Sequence, residues 1–222
     1  LEPNLFVSSI RAINSPKIRI LETVWDDSLR EGGRVLAVET DKAKSAIASD
    51  TDWCIYLQAD EVFHEKDYPE VRRAMIDNLN DKRVDGLLFD HLNFYGSFDY
   101  IADSRRWSYK QIRVIRNDPQ INSYRDAMSF KKNGRNLLVK KINATVYHYG
   151  WVRTPDAMQK KLETFQKLWH DDEWIEKNVQ KADEFDYSQI DSLAHFTGTH
   201  PQVMLERINR MNWKFDFDPT KG

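Results

Sequence analysis

The feature that most constrains this chain is Trp53-Cys54-Ile55-Tyr56-Leu57, a continuous apolar run that stops abruptly at Gln58-Ala59-Asp60-Glu61. A short apolar run without alternation marks a strand covered on both faces. Polar groups at the end of such a strand stand at the mouth of a sheet, where α/β proteins bind ligands. The spacing elsewhere supplies the rest of the layers. Residues 5–13 suit a short helix, and residues 17–21 alternate like a half-buried strand. Gly32-Gly33 opens a helix to about Ser49, with Leu36, Thr40, Ala43 and Ile47 on one face. Pro69 opens a second helix, carrying Val71, Ala74, Met75 and Leu79. Further strands are expected at 84–89 and 111–116 and, in one or two pieces, across 139–149. A helix follows from Thr154, with Met158, Leu162, Phe165, Leu168 and Trp169 at helical spacing. Alternating strands and helices predict an α/β domain with a largely parallel sheet flanked by helices, over residues 1–170. Residues 171–222 read as a helical extension packed on it, with a final helix after Pro201.

Composition narrows the function classes. With 222 residues and 41% apolar side chains, the chain can bury a core and is not of disordered composition. Its 33 basic and 35 acidic residues nearly cancel, which argues against a nucleic-acid partner. No apolar run approaches the roughly 18–20 residues that cross a bilayer, so no membrane span is expected. The start carries no basic-then-apolar leader pattern. Cys54 is the only cysteine and has no internal disulfide partner. A soluble protein of a reducing, cytoplasmic compartment is the expectation.

The stretch from Asp52 to Glu65, centred on Gln58-Ala59-Asp60-Glu61, resembles the central motif of family 2 glycosyltransferases, where a buried strand opens onto an Asp-x-Asp-type signature. Other segments follow in that family's order: Ile112-Arg113-Val114-Ile115-Arg116 as its arginine-bearing strand, then Tyr124-Arg125-Asp126 where it places a catalytic carboxylate. Val146-Tyr147-His148-Tyr149-Gly150, with Arg153 and Lys160-Lys161 beyond, is similar to its late His segment and basic helix. The resemblance covers roughly residues 18 to 161. It implies a GT-A fold, Rossmann-like and mostly parallel, with a nucleotide-sugar donor, UDP-sugar by class, and Mn2+ or Mg2+ as cofactor. It also implies inverting transfer to a sugar or glycan acceptor of unspecified identity. Two departures stand out. Gln58 replaces the first acidic residue of the triplet, and the strand and base-binding loop with which the family opens have no counterpart before Leu5.

Each candidate residue has a plain alternative. Asp60 suits a metal ligand beside a diphosphate, or a surface carboxylate at a strand end. Glu61 could orient a loop or touch an acceptor, and Gln58 could bond ribose or a metal-bound water. From the resemblance, His148 is a metal or diphosphate ligand, favouring manganese because imidazole suits it better than magnesium; otherwise it is a packed core histidine. Asp126 is the candidate base that takes the acceptor proton, with a loop ion pair as its alternative and Asp90 and His91 in reserve. Arg153, Lys160 and Lys161 could neutralise a diphosphate or form a solvated basic face. Arg34, in a Gly-Gly-Arg turn, and Asp41 and Lys44 on the helix it opens, are candidate nucleotide contacts. Tyr95, Phe98, Tyr100 and Trp107 could stack on an acceptor sugar or sit in the core. His195 and His200 are expected to be structural. The alternative to a transferase is a nucleotide-sugar-binding protein with little or no catalysis; a nucleotidyltransferase is disfavoured because no basic Gly-rich loop opens the chain.

Overall fold

The structure, a computed structural model, describes residues 3–179 and 182–215. The remaining positions of the expected extension, 180–181 and 216–222, lie outside the described residues. Helix α1 (Pro3–Ala12) leads to an irregular segment, and a 3-10 turn at Glu31–Gly33 opens α2 (Arg34–Ser45). Then come β1 (Trp53–Ile55), β2 (Glu61–Phe63), α3 (Tyr68–Asp77), β3 (Gly86–Tyr95), β4 (Tyr100–Ala102) and β5 (Lys110–Arg116). Strands β6 (Ile121–Tyr124), β7 (Ser129–Lys132) and β8 (Arg135–Asn136) make a small separate sheet. The chain returns through β9 (Val139–Trp151), α4 (Pro155–Gln166), α5 (Asp172–Asn178), β10 (Leu193–His195) and α6 (Leu205–Asn209).

The main sheet runs β1-β5-β3-β4-β10, with β9 paired to β3 and β2 paired to β9. It corrects the expected GT-A arrangement: the α/β content is there, but the mostly parallel Rossmann-like sheet is not. Every pairing is antiparallel except that of β3 with β9. The physical reason lies in the connections. Parallel neighbours need long crossovers, usually helical. Here α3 connects β2 to β3 and α4 and α5 connect β9 to β10, and neither pair of strands is adjacent in the sheet. The one parallel pair, β3 with β9, is joined by strands and turns, and within that connection β5 falls back antiparallel between β1 and β3. The strand expected at 17–21 does not form either. Among the described residues no strand pairs with it, and Ile18 and Leu21 are exposed at 38% and 44%. The extension is not purely helical, because β10 pairs with β4.

Alternation explains the burial. Leu87 and Phe89 of β3, Val114 of β5 and Val146 of β9 are sealed against Val71 and Ala74 of α3. On another layer Phe94, Tyr147, Tyr149 and Val152 pack with Met204, which seats the start of α6. Each such side chain contributes about 2 kcal/mol on burial. Together they hold the ends of β1, β2 and β9 in fixed register.

Candidate functional site

One cavity of about 710 Å3 opens where the α2, β1 and α4 segments converge. Leu36 and Ala43 of α2, Ile47 just beyond it, Ile115 of β5, and Met158, Leu162 and Phe165 of α4 give it apolar walls. Its polar lining includes Gln58, Asp60, Asp126, His148 and Lys161, along with Glu39, Thr40 and Lys44.

Glu61 and Asp60, adjacent in sequence, are built into different machinery. In the β2–β9 register Glu61 lies opposite His148. Its carboxylate takes a two-pronged bond from Arg113, Nε to Oε2 at 2.7 Å and Nη2 to Oε1 at 2.5 Å. His91 Nε2 lies 3.3 Å from Oε1, and the backbone N–H of Gln58 donates to Oε2 at 3.2 Å. Burial pushes the Glu61 pKa up, but His91 and the Arg113 charge outweigh it and bring it down to about 2. Its side chain is 1% exposed. A carboxylate so fully engaged is an anchor for the 58–61 turn, not a free ligand.

Asp60 faces the cavity with its side chain 25% exposed. Oδ2 accepts from Lys161 Nζ at 3.1 Å, and Oδ1 lies 3.6 Å from His148 Nε2. Desolvation would raise its pKa, yet His148 and Lys161 together hold it well below the usual carboxylate range. Gly150 makes the approach possible: a Cβ there would stand 2.5 Å from His148 Nε2 and 2.6 Å from Asp60 Oδ2. The hydrogen-bond network assigns the imidazole. Asn93 Nδ2 donates to the Ser108 carbonyl at 2.9 Å, so Asn93 Oδ1 accepts from His148 Nδ1–H at 3.1 Å. In the neutral ring Nε2 then turns a lone pair towards Asp60 Oδ1. Two acceptors so placed repel unless a proton or a cation lies between them.

That donor pair fits a divalent cation: one carboxylate oxygen and one imidazole nitrogen, each within reach of an ion bound at about 2.1 Å. Among the described residues no group of three or more His, Cys, Asp or Glu could hold a metal, so further ligands would have to be water or ligand oxygens.

Asp126 sits on the cavity wall inside a strained turn. The flanking Arg125 and Ala127 both adopt left-handed backbone, φ 56° and 61°. Such strain in non-glycine residues costs on the order of 1–3 kcal/mol each and concentrates at functional sites. Its Oδ1 is buried with no hydrogen-bond partner among the described residues. Burial raises its pKa against the pull of nearby backbone N–H groups and Arg125. Gly33, left-handed at φ 71°, lets this turn close in, since a Cβ there would lie 2.7 Å from Asp126 Cβ.

Other expected residues go elsewhere. Asp41 accepts from the Ser123 backbone N–H at 2.8 Å and tethers β6 to α2, away from the cavity lining. Arg34 is exposed at the start of α2 and does not line the cavity. Lys44 reaches the wall but is bonded to the Asp118 carbonyl at 2.8 Å. Lys160 points outward, 78% exposed beside Asp156, while Lys161 takes the inward position. Arg153 is half-buried next to Val152, its Nε without a partner among the described residues. Gln58 is half-buried on the wall, its Nε2 near the Tyr56 hydroxyl at 3.3 Å. The reserve pair Asp90 and His91 is engaged, with Lys141 and Glu61 respectively. Tyr95 and Phe98 are core residues, at 4% and 2% exposure. His200 Nδ1 bonds the Tyr149 hydroxyl at 2.9 Å, a structural role as expected.

Sequence reasoning named neither Gly150 nor Asn93 as part of this cluster. A signal for Lys161 over Lys160 was present: it falls three residues after Met158, on the face that Met158, Leu162 and Phe165 turn to the cavity. Among the described residues no helix is long and apolar enough to cross a membrane. Comparison of the chain with protein-family models and with curated proteins yields no match.

Proposed function

We propose that this protein binds a nucleotide-diphosphate sugar, of the UDP-sugar class, with a divalent cation, and transfers the sugar with inversion to a sugar or glycan acceptor. The observation that carries the reading is that Asp60, with His148 and Lys161 on its carboxylate, and Asp126 all line one cavity, Asp126 Oδ1 having no hydrogen-bond partner among the described residues. Asp60 and His148 would hold Mn2+ or Mg2+, with manganese favoured by the imidazole. A cation held there would supply positive charge against a leaving diphosphate. Lys161, already 2.8 Å from the Gly150 carbonyl and 3.1 Å from Asp60, adds a positive charge at the same place.

Inverting transfer forms a bond from the acceptor oxygen to the anomeric carbon as the bond from that carbon to the diphosphate oxygen breaks. The bonding pair leaves with the diphosphate, and the acceptor proton goes to a carboxylate. Asp126 suits that last role, because its raised pKa makes it a better proton acceptor than an ordinary aspartate. Gln58, on the cavity wall, would bond the ribose or a water on the cation. A reducing, cytoplasmic setting fits the single, buried, free Cys54.

Arg34, Asp41, Arg153 and Lys160, expected as nucleotide or diphosphate contacts, do not line the cavity; binding without turnover is the second reading. Release of UDP from a panel of UDP-sugars, in Mn2+ and with simple sugar acceptors, tests both. Transfer that disappears in Asp126→Asn while UDP binding persists supports the transferase. UDP binding with no release from any donor supports the second reading, and no UDP binding at all refutes both.

A further inference from the structure

Lys161 is not the only cation at the end of β9. Its Nζ donates to the Gly150 carbonyl at 2.8 Å, and Arg207 Nη2, from α6, donates to the Val152 carbonyl at 3.2 Å. Arg153 follows directly, with its buried Nε unpartnered among the described residues. Three elements thus bring three cations to one four-residue stretch of backbone: α4 sends Lys161, α6 sends Arg207, and the strand end itself carries Arg153. Among the described residues the one carboxylate ion-paired with any of them is Asp60, with Lys161. Arg153 and Arg207 have no acidic partner within ion-pair distance among those residues. The crowding registers electrostatically. Burial lowers the Lys161 pKa, Asp60 opposes it, and Arg153 and Arg207 lower it further. Burial and the neighbouring Arg153 likewise depress Arg207.

The placement of Arg207 is a product of packing. Met204 and Ile208, four residues apart, go into the aromatic core with Phe94, Tyr147 and Tyr149. Arg207 lies between them in sequence and is carried to the β9 end by that seating. A carbonyl contact alone needs no guanidinium, and an arginine set beside two other cations loses stability through repulsion. Guanidinium groups without carboxylate partners match phosphate oxygens, which accept paired, charge-assisted bonds.

We propose that Arg207, with Arg153 and Lys161, forms a phosphate-binding subsite beside Asp60, so that the C-terminal segment supplies a ligand-binding residue to the site. This rests on the nucleotide-diphosphate reading above and adds to it a contact from α6 on the donor's phosphates. Arg207 binds the charge and does no proton transfer.

The test is calorimetric titration of inorganic pyrophosphate and, separately, UDP, with Mn2+ present, into the full chain and its variants. Arg207→Gln, which keeps an N–H for the Val152 carbonyl, should weaken pyrophosphate binding by about tenfold or more. Arg207→Lys should recover part of that loss, and the neighbouring Arg210→Gln should change nothing. The salt dependence of binding should also become shallower in Arg207→Gln, which a purely structural role would not produce. Should Arg207→Gln fail to fold, Arg153→Gln provides the same reading, with the same expected weakening. Wild-type affinity in Arg207→Gln, or in Arg153→Gln where that stands in for it, would overturn the subsite while leaving the proposed function intact. If wild-type protein binds neither pyrophosphate nor UDP, both fall together.

Discussion

Asp60 and Glu61 are chemically near-identical neighbours, and the fold uses them in opposite ways. Glu61 lies in a ladder, and its two oxygens are consumed by Arg113, His91 and a backbone N–H. Asp60 lies one residue earlier, in a turn, and its contacts are a lysine and an imidazole that face a cavity. The first arrangement is closed: every partner is fixed by the sheet, and a ligand could enter only by breaking it. The second is more open: Lys161 and His148 Nε2 lie 3.1 Å and 3.6 Å from the Asp60 carboxylate on the lining of a cavity. An acidic pair in sequence is therefore not a two-carboxylate metal site here. Glu61 holds the turn so that Asp60 can present itself.

The comparison breaks most sharply at Arg113. Arg113→Met leaves Glu61 buried without its charged partner, which should cost about 3–5 kcal/mol in denaturant unfolding. A loss under 1 kcal/mol would mean that Glu61 is not locked as described. Acid should attack the same contact next. The Glu61 pKa is depressed from 4.5 to about 2, so its contribution is complete above pH 4.5 and is lost as pH falls through 2. That contribution is on the order of 3 kcal/mol at neutral pH. Asp60 adds to it in the same direction. In Arg113→Met, unfolding free energy measured against pH should show a shallower acid limb than wild type.

Smaller stability effects are expected on the open side. Asp60→Asn keeps an acceptor for Lys161 and should cost about 1 kcal/mol, well below the Arg113 variant. Thermal melts of the two variants side by side check the order, and a reversed order would contradict the distinction between closed and open. Gly150→Ala sharpens it further. Its Cβ meets the flexible ends of His148 and Asp60, which can move aside, so the melting temperature should fall by only a few degrees. The two donors would nonetheless be pushed apart, and Mn2+-dependent UDP binding should weaken by about tenfold or more.

Much of the element content was legible. The α2 and α4 periodicities and the strands around 84–89, 111–116 and 139–149 announced themselves, because burial repeats at 3.6 or 2 residues whatever the topology. The apolar run at 53–57, expected to be covered on both faces, makes only the three-residue edge strand β1, with Ile55 and Leu57 exposed at 52% and 42%. Strand direction was not legible. Alternation reads the same in either direction, and the one parallel pair, β3 with β9, is joined by strands and turns and not by the helix such a pair usually carries. The alternating segment 17–21 misled because alternation makes a strand only where a partner backbone is present. At the site, Asp60, His148 and Asp126 were expected together and do line one cavity. The partner of Glu61 was not foreseen, since Arg113 lies far along the chain and only the β1–β5–β3 order brings it close. Arg207 was equally hidden: its short helix is seated by Met204 and Ile208 in a core built from distant strands.

The most direct measurement is calorimetric titration of UDP, with and without Mn2+, into wild-type protein and Asp60→Asn. The account predicts Mn2+-dependent binding in wild type and none measurable in the variant, with both proteins folded. Equal affinity in the two, or wild-type binding indifferent to Mn2+, would contradict it.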